Sequence, residues 1–177
     1  MKTILILSMT LFVLACSKTT LLSQSTEQPS AVEFIAHEHF TTPSDSDYSF
    51  YYDEYRQVFA INAGNPKLRD RFIRATKKLD ANFISGEYLL TLNTITEEDG
   101  ESSYQVFVND ELIATVTNPE THKAFQLVQL QIGKTELKAG DVLTIAANAV
   151  TNGKIPEGDG TAYARGRWQS LLLTPVQ

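Results

Sequence analysis

Two hydrophobic patterns follow one another along the chain. Residues 4–13 form an apolar run broken only by Ser8 and Thr10. From Val32 onward, apolar and polar residues alternate in short segments punctuated by Gly, Asn, Asp and Pro, the period-two signature of half-buried strands. The alternation predicts strands over 32–40, 55–61, 71–78, 86–95, 103–108, 111–117, 124–132, 142–147 and 163–174. Roughly nine such runs, with no long helical period among them, predict an all-β domain, a β-sandwich of the jelly-roll kind with about eight or nine strands. Asn109-Asp110 between two apolar runs has the residues a tight hairpin needs, and Gly140-Asp141 is a turn before the alternation of 142–147. One segment reads two ways. Asn65-Pro66 followed by Leu68, Phe72, Ala75 and Leu79 fits a capped helix, but the short run 72–76 leading into the strongly β segment after Gly86 favours a strand.

The first apolar run changes the domain picture. Met1-Lys2-Thr3, the run itself and Val13-Leu14-Ala15-Cys16 make a charged start, an apolar stretch and a small-residue cleavage site, the layout of a signal peptide. The run falls short of the roughly 20 apolar residues that cross a bilayer. The Val-Leu-Ala-Cys junction resembles a bacterial lipobox, which implies removal of residues 1–15 and lipid on Cys16. Polar residues 16–31 then read as a flexible tether, and 32–177 as the sandwich. Ser17, with no Asp beside the Cys, implies sorting to the outer membrane, so the expected location is the cell envelope. Cys16 is the single cysteine, and an internal disulfide is excluded. The 177 residues carry 21 acids against 15 Lys plus Arg, a formal net charge of −6, which disfavours a nucleic-acid partner.

Two loops concentrate polar chemistry. In 96–104 the carboxylates Glu97, Glu98, Asp99 and Glu101 crowd a turn, where they would repel one another unless cations or hydroxyls stand near. A solvated tip, sugar hydroxyls and a structural calcium are the readings open for it, although the spacing matches no complete calcium loop. The segment 148–168 joins Asn148, Asn152, Glu157, Asp159, Tyr163, Arg165, Arg167 and the only Trp, Trp168. Amide, carboxylate and guanidinium groups suit the hydroxyls of a carbohydrate while an aromatic takes the C–H face of its ring. The same residues would also suit a salt-bridge network in which the two Arg pair with the 97–101 acids and Trp168 fills the core. Alternation puts Arg165 and Arg167 on one face and Trp168 on the other. Two exposed Arg would favour acidic or sulfated glycans. The aromatic run 48–55 offers a stacking platform if it lies in a loop, and core if not. His37, Glu38 and His39, with His122 distant, read as plain strand residues before metal ligands. The chain has no Gly-x-Ser-x-Gly elbow, His-Glu-x-x-His motif or Gly-rich phosphate loop, so no enzyme is predicted.

The run Gly86-Glu87-Tyr88, the Glu98-Asp99-Gly100-Glu101 turn, Val108-Asn109, Gly140-Asp141, Glu157-Gly158-Asp159-Gly160 and Arg165-Gly166-Arg167-Trp168 resemble the carbohydrate-binding-module-like jelly rolls of the galactose-binding-like superfamily. The resemblance covers about 70–175. It implies a non-catalytic sugar-binding sandwich that holds polysaccharide or oligosaccharide at its loops or on a concave face, often with a structural calcium. No enzyme domain is attached, so such a module would capture glycan alone or beside a separate partner enzyme. Arg165, Arg167, Asn148, Asn152, Glu157 and Asp159, with Asp99 and Glu101 opposite and Tyr163 stacking, are the expected glycan contacts. The alternatives are an envelope domain that docks another protein, or a small glycoside-active enzyme using Glu98 or Glu101 with Glu157 or Asp159.

Overall fold

Alternation resolves into two facing antiparallel sheets in the computed structural model, which describes residues 30–42 and 48–176. The predicted signal segment, Cys16 and the tether before Ser30 lie outside the described residues. The strands are β1 (Val32–Ile35), β2 (Phe50–Asp53), β3 (Val58–Ile61), β4 (Phe72–Lys78), β5 (Gly86–Ile95), β6 (Ser103–Val108), β7 (Glu111–Thr117), β8 (Leu127–Leu137), β9 (Val142–Asn148), β10 (Pro156–Glu157), β11 (Gly160–Thr161) and β12 (Trp168–Pro175), with one helical turn, α1 (Ala36–His39), after β1. The larger sheet has the order β2-β3-β12-β5-β8, and β1 adds to β12 beside β3. The smaller sheet has the order β4-β9-β6-β7, and β10 and β11 form a hairpin apart from both. This is the expected β-sandwich.

The core lies between the sheets. Phe34, Leu90, Leu92, Leu171 and Leu173 of the larger sheet share one buried cluster with Ile73, Ala75, Tyr104, Val106, Leu143 and Ile145 of the smaller. Trp168 is fully buried, with the rings of Phe40 and Phe59 set edge-on at centroid distances of 4.9 and 6.1 Å. Burying an aromatic of this size is worth several kcal/mol, about 3–5 on truncation to Ala. Trp168 therefore belongs to the core, one of its two readings. On the outward face of the larger sheet, Glu33 Oε1 accepts from Ser170 Oγ at 2.5 Å, Asn93 Nδ2 donates to Ser170 Oγ at 2.8 Å, and Gln129 Nε2 donates to Asn93 Oδ1 at 3.2 Å. That ladder ties four strands together across their hydrogen-bonded edges.

The boundaries of β5, β6 and β7 match the predicted ones, and Asn109 and Asp110 both take positive φ (50° and 67°) in the hairpin between β6 and β7. Other segments differ for identifiable reasons. The predicted strand 32–40 stops at Ile35, because the backbone winds into α1 and Phe40 N donates to Ala36 O. β8 starts later and runs on to Leu137, since Gly133 (φ +129°) sits in a β-bulge opposite Leu90 and Thr91 instead of ending the strand. The aromatic run 48–55 contributes β2, which pairs with β3. The alternative helix at Asn65 shrinks to a 3-10 turn, Pro66–Leu68, capped by the Asn65 side chain accepting from Lys67 N, and β4 follows as a strand. β12 begins at Trp168 because Gly166 (φ +55°) breaks the extended backbone before it.

Candidate functional site

β5 ends, and β8 and β12 begin, at one end of the sandwich, so the loops 96–102, 118–126 and 149–167 converge there. Close backbone approach holds them. Asn152 N donates to Asp99 O at 2.9 Å, and Val150 and Ala164 exchange backbone hydrogen bonds. A Cβ added at Gly100 would stand 2.5 Å from Val150 O, so only glycine admits this contact. Phe125 N donates to Thr96 O at 2.6 Å and Gln126 N to Thr96 Oγ1 at 3.1 Å, which fixes the loop before β8 on the end of β5.

Glu97, one residue beyond that threonine, is 3% exposed. Its carboxylate accepts from the Arg165 backbone N–H at 3.0 and 2.9 Å and pairs with Arg167 Nη1. Arg167 is 8% exposed, and its Nε lies 3.7 Å from Asp53 Oδ2, which is paired in turn with Arg56 Nη1 at 3.1 Å. Burial lowers the Arg167 guanidinium from its ordinary value, opposed by Tyr51 and Asp53. A guanidinium so placed still carries its charge at neutral pH. The Nε atoms of Arg167 and Arg56 are buried without a hydrogen-bond partner among the described residues. Arg165 Nη1 donates to Tyr51 Oη at 2.7 Å, and its other guanidinium N–H donors have no partner among the described residues.

Glu97, Arg165 and Arg167 line a cleft of about 290 Å³ together with Glu98, Asp99, Ala124, Phe125 and Ile155. Ligand sites start at about that size. Phe125 is the unusual member. It holds a left-handed backbone (φ 65°), its side chain is exposed, and the guanidinium of Arg56 lies 3.7 Å from its ring centroid. Bulky residues rarely adopt that conformation, which costs about 1–3 kcal/mol. In the same lining, burial lifts the Asp99 carboxyl above its ordinary value; Arg165 counters this, and Glu157 and Glu98 reinforce it. The cleft thus sets an aromatic face beside a carboxylate and a guanidinium.

Of the residues expected from the sequence, Arg165, Arg167 and Asp99 line this cleft. Glu157 is exposed on β10 within electrostatic reach of Asp99. Asn152 donates to Glu98 O at 2.9 Å and to Glu101 Oε1 at 3.4 Å and accepts from Lys154 N, so both it and Glu101 are engaged in shaping the loop. Asn148 Oδ1 accepts from Ser103 N at 2.7 Å. Tyr163 Oη donates to Asp70 Oδ2 at 3.3 Å with the Arg69 guanidinium over its ring, away from the cleft lining. Asp159 is exposed at the tip between β10 and β11. Of the two readings of the Arg pair, Arg167 takes the salt-bridge one, buried against Glu97, so the two guanidiniums do not stand exposed together. Phe125 was not expected at the site, whereas Tyr51 comes from the aromatic run 48–55 and Ile155 from the 148–168 segment. No local pattern marks Phe125, whose importance lies in its backbone angle and in partners distant in sequence.

The acids of 97–101 do not gather round a cation. Glu97 faces Arg167, Glu98 Oε1 accepts from Ala124 N at 3.1 Å, and Glu101 meets Asn152. Among the described residues no group of three His, Cys, Asp or Glu side chains converges to hold a metal. His37 stacks on Tyr52 at 3.7 Å and His39 Nδ1 lies 3.1 Å from Ile35 O. A larger hollow of about 500 Å³ lies between β7 and β8, but its Asp141 and Asn109 are bound to each other at 2.9 Å and to the backbone of Lys138 and Val142. It offers no exposed aromatic.

No family model matches the chain. Over 147 residues it is 24% identical to Uncharacterized protein P23 of Formosa agariphila, across 81% of this chain and 32% of that protein. The chain thus spans about a third of the length of that curated relative. Among solved structures, a family 35 carbohydrate binding module from Clostridium thermocellum is similar with a TM-score of 0.49 and 14% identity, over 84% of this chain and 100% of that one. The insecticidal crystal protein Cry2Aa is similar with a TM-score of 0.55 and 14% identity, over 82% of this chain and 21% of that one. At such identity the likeness to Cry2Aa is one of fold alone, the β-sandwich already described.

Proposed function

We propose that this chain is a non-catalytic glycan-binding module, held at the cell envelope by lipid on Cys16 and retaining polysaccharide there. The observation that carries the reading is Phe125, an exposed ring on a left-handed backbone, facing a cleft that Asp99 and Arg165 line. A sugar ring needs an apolar surface for its C–H face and planar acceptors and donors for its hydroxyls. Asp99 supplies the acceptor and Arg165 the donors, with the Arg165 guanidinium held by the Tyr51 hydroxyl. Strain at Phe125 is the kind of cost that persists where surroundings over-determine a functional conformation. Lipid on Cys16 would place many copies on one surface, so a site of modest affinity would act on a polymer through avidity. A partner enzyme acting on the same polymer fits this arrangement but is not required by it.

Affinity electrophoresis of the purified protein through gels containing neutral and anionic polysaccharides tests the proposal. Retention by at least one polymer, lost on combining Phe125→Ala with Arg165→Ala while the fold is kept, is the expected result. Absence of retention by every polymer, or retention indifferent to both substitutions, would sink it. Globomycin-sensitive processing and metabolic labelling with a radioactive fatty acid, abolished by Cys16→Ser, tests the anchor separately.

A further inference from the structure

Carboxylates outnumber guanidiniums in the cleft. Its lining holds Glu97, Glu98 and Asp99 against Arg165 and Arg167, and Glu157 adds negative potential from β10. Arg167 is committed to Glu97 and lies beside Asp53, while Arg56 is bound by Asp53. Arg165 is left as the lining guanidinium without a carboxylate partner among the described residues, and the charge of Asp99, in the same lining, offsets its own. An incoming carboxylate or sulfate would find no surplus cation and would stand near Asp99 and Glu98 in a partly desolvated space, where like charges repel more strongly than in water. A hydroxyl meets no such penalty, since it donates to Asp99 and accepts from Arg165 at once.

We propose that the cleft takes uncharged glycans and rejects chains bearing uronate or sulfate, with Asp99 as the residue that determines this specificity. The inference rests on the glycan-binding reading of the same site. It reverses the preference that the Arg-Gly-Arg segment implied, because selectivity here comes from a repulsive element as well as from attractive ones. Glu97 is what removes Arg167 from the anion-binding count, and it does so inside the protein, where a ligand cannot compete for the guanidinium without breaking a buried pair.

The test is affinity electrophoresis of the full chain in neutral galactomannan and xylan, in alginate and in a sulfated galactan, at low and moderate salt, with Asp99→Asn and Glu157→Gln alongside. A neutral chain should be retained, with the anionic chains bound on the order of tenfold more weakly at low salt. Added salt should narrow that gap as it screens the repulsion. Asp99→Asn should raise the ratio of anionic to neutral binding by on the order of tenfold. Glu157→Gln, which removes an exposed charge acting at longer range, should raise it much less. Anionic chains bound as tightly as neutral ones by the unaltered protein would overturn the specificity proposal and leave the glycan-binding reading intact. So would equal effects of the two substitutions on the ratio. Retention of no polymer at all would remove both.

Discussion

Replacing Glu97 with Gln separates the charge of the buried pair from its hydrogen bonding. Gln retains a side-chain oxygen for the Arg165 backbone N–H, which Glu97 accepts at 2.9 to 3.0 Å, but leaves the Arg167 guanidinium, 8% exposed, without its nearest counter-charge. Breaking a buried ion pair from one side costs about 3–5 kcal/mol. Asp53, with its Oδ2 at 3.7 Å from Arg167 Nε, compensates in part, which places the expected loss near the lower end, about 3 kcal/mol. For a domain of this size that is a fall in Tm of about 6–12 °C. Urea unfolding followed by the fluorescence of Trp168, the single Trp and fully buried, measures it directly. Pairing the change with Arg167→Met should recover much of the loss, because an apolar side chain of similar length needs no partner. A Glu97→Gln protein within about 0.5 kcal/mol of the original would refute the reasoning, as would a double variant no more stable than the single one.

The remaining predictions concern backbone, phenol and carboxyl. Gly166→Ala would force a Cβ into left-handed backbone 2.7 Å from Asn148 O, and should cost about 2–4 kcal/mol in the same urea assay. Tyr104 is fully buried with its hydroxyl donating to Arg167 O at 2.8 Å, and burial raises its phenol far above the ordinary 10.0. Its contribution is therefore complete below pH 10.0 and lost as pH rises further, so phenolate absorbance of this residue should emerge only with unfolding, and Tyr104→Phe should cost about 1–2 kcal/mol at neutral pH. Folding favours the protonated form of Asp99, whose value is raised above 3.8, so its contribution is complete below 3.8 and lost as pH rises through the folded value. Asp99→Asn should stabilise the domain at neutral pH relative to acid, and an unchanged pH profile of Tm would count against the burial described for that carboxyl.

Legibility differed by segment for physical reasons. β5, β6 and β7 were readable to their ends because alternation stops where a turn residue takes over, as at Asn109-Asp110. Gly133 and Gly166 mislead in opposite ways: the first looks like a terminator and is a bulge inside β8, while the second lies within apparent alternation and interrupts it. A helical turn of four residues after β1 has too little periodicity to register against the strand pattern around it. At the site, the proximity of the 97–101 and 148–168 loops followed from polar composition in a chain of short strands. Depth did not. Whether a guanidinium faces solvent or a buried carboxylate depends on a contact spanning some seventy residues, as between Glu97 and Arg167. Phe125 lies beyond pattern reading altogether, because nothing in Lys123-Ala124-Phe125-Gln126 distinguishes it from an ordinary strand entrance.

The same contact explains why the site can be both rigid and selective. Glu97 binds the Arg165 backbone and the Arg167 side chain at once, so the carboxylate that orders the 149–167 loop also neutralises the cation behind it. A ligand therefore meets loops whose positions are already fixed, and little affinity is lost to ordering them. What it cannot gain is a strong charge attraction, since Arg167 is paired with Glu97 and the charge of Arg165 is balanced by Asp99. Affinity at a single cleft of about 290 Å³ must then come from one aromatic face and a few hydrogen bonds to hydroxyls. Such contacts discriminate by shape and hydroxyl orientation more than they bind tightly. Under the proposed function, anchoring through Cys16 makes up the difference, because arrayed copies turn many weak contacts into firm retention of a polymer while each contact stays free to exchange.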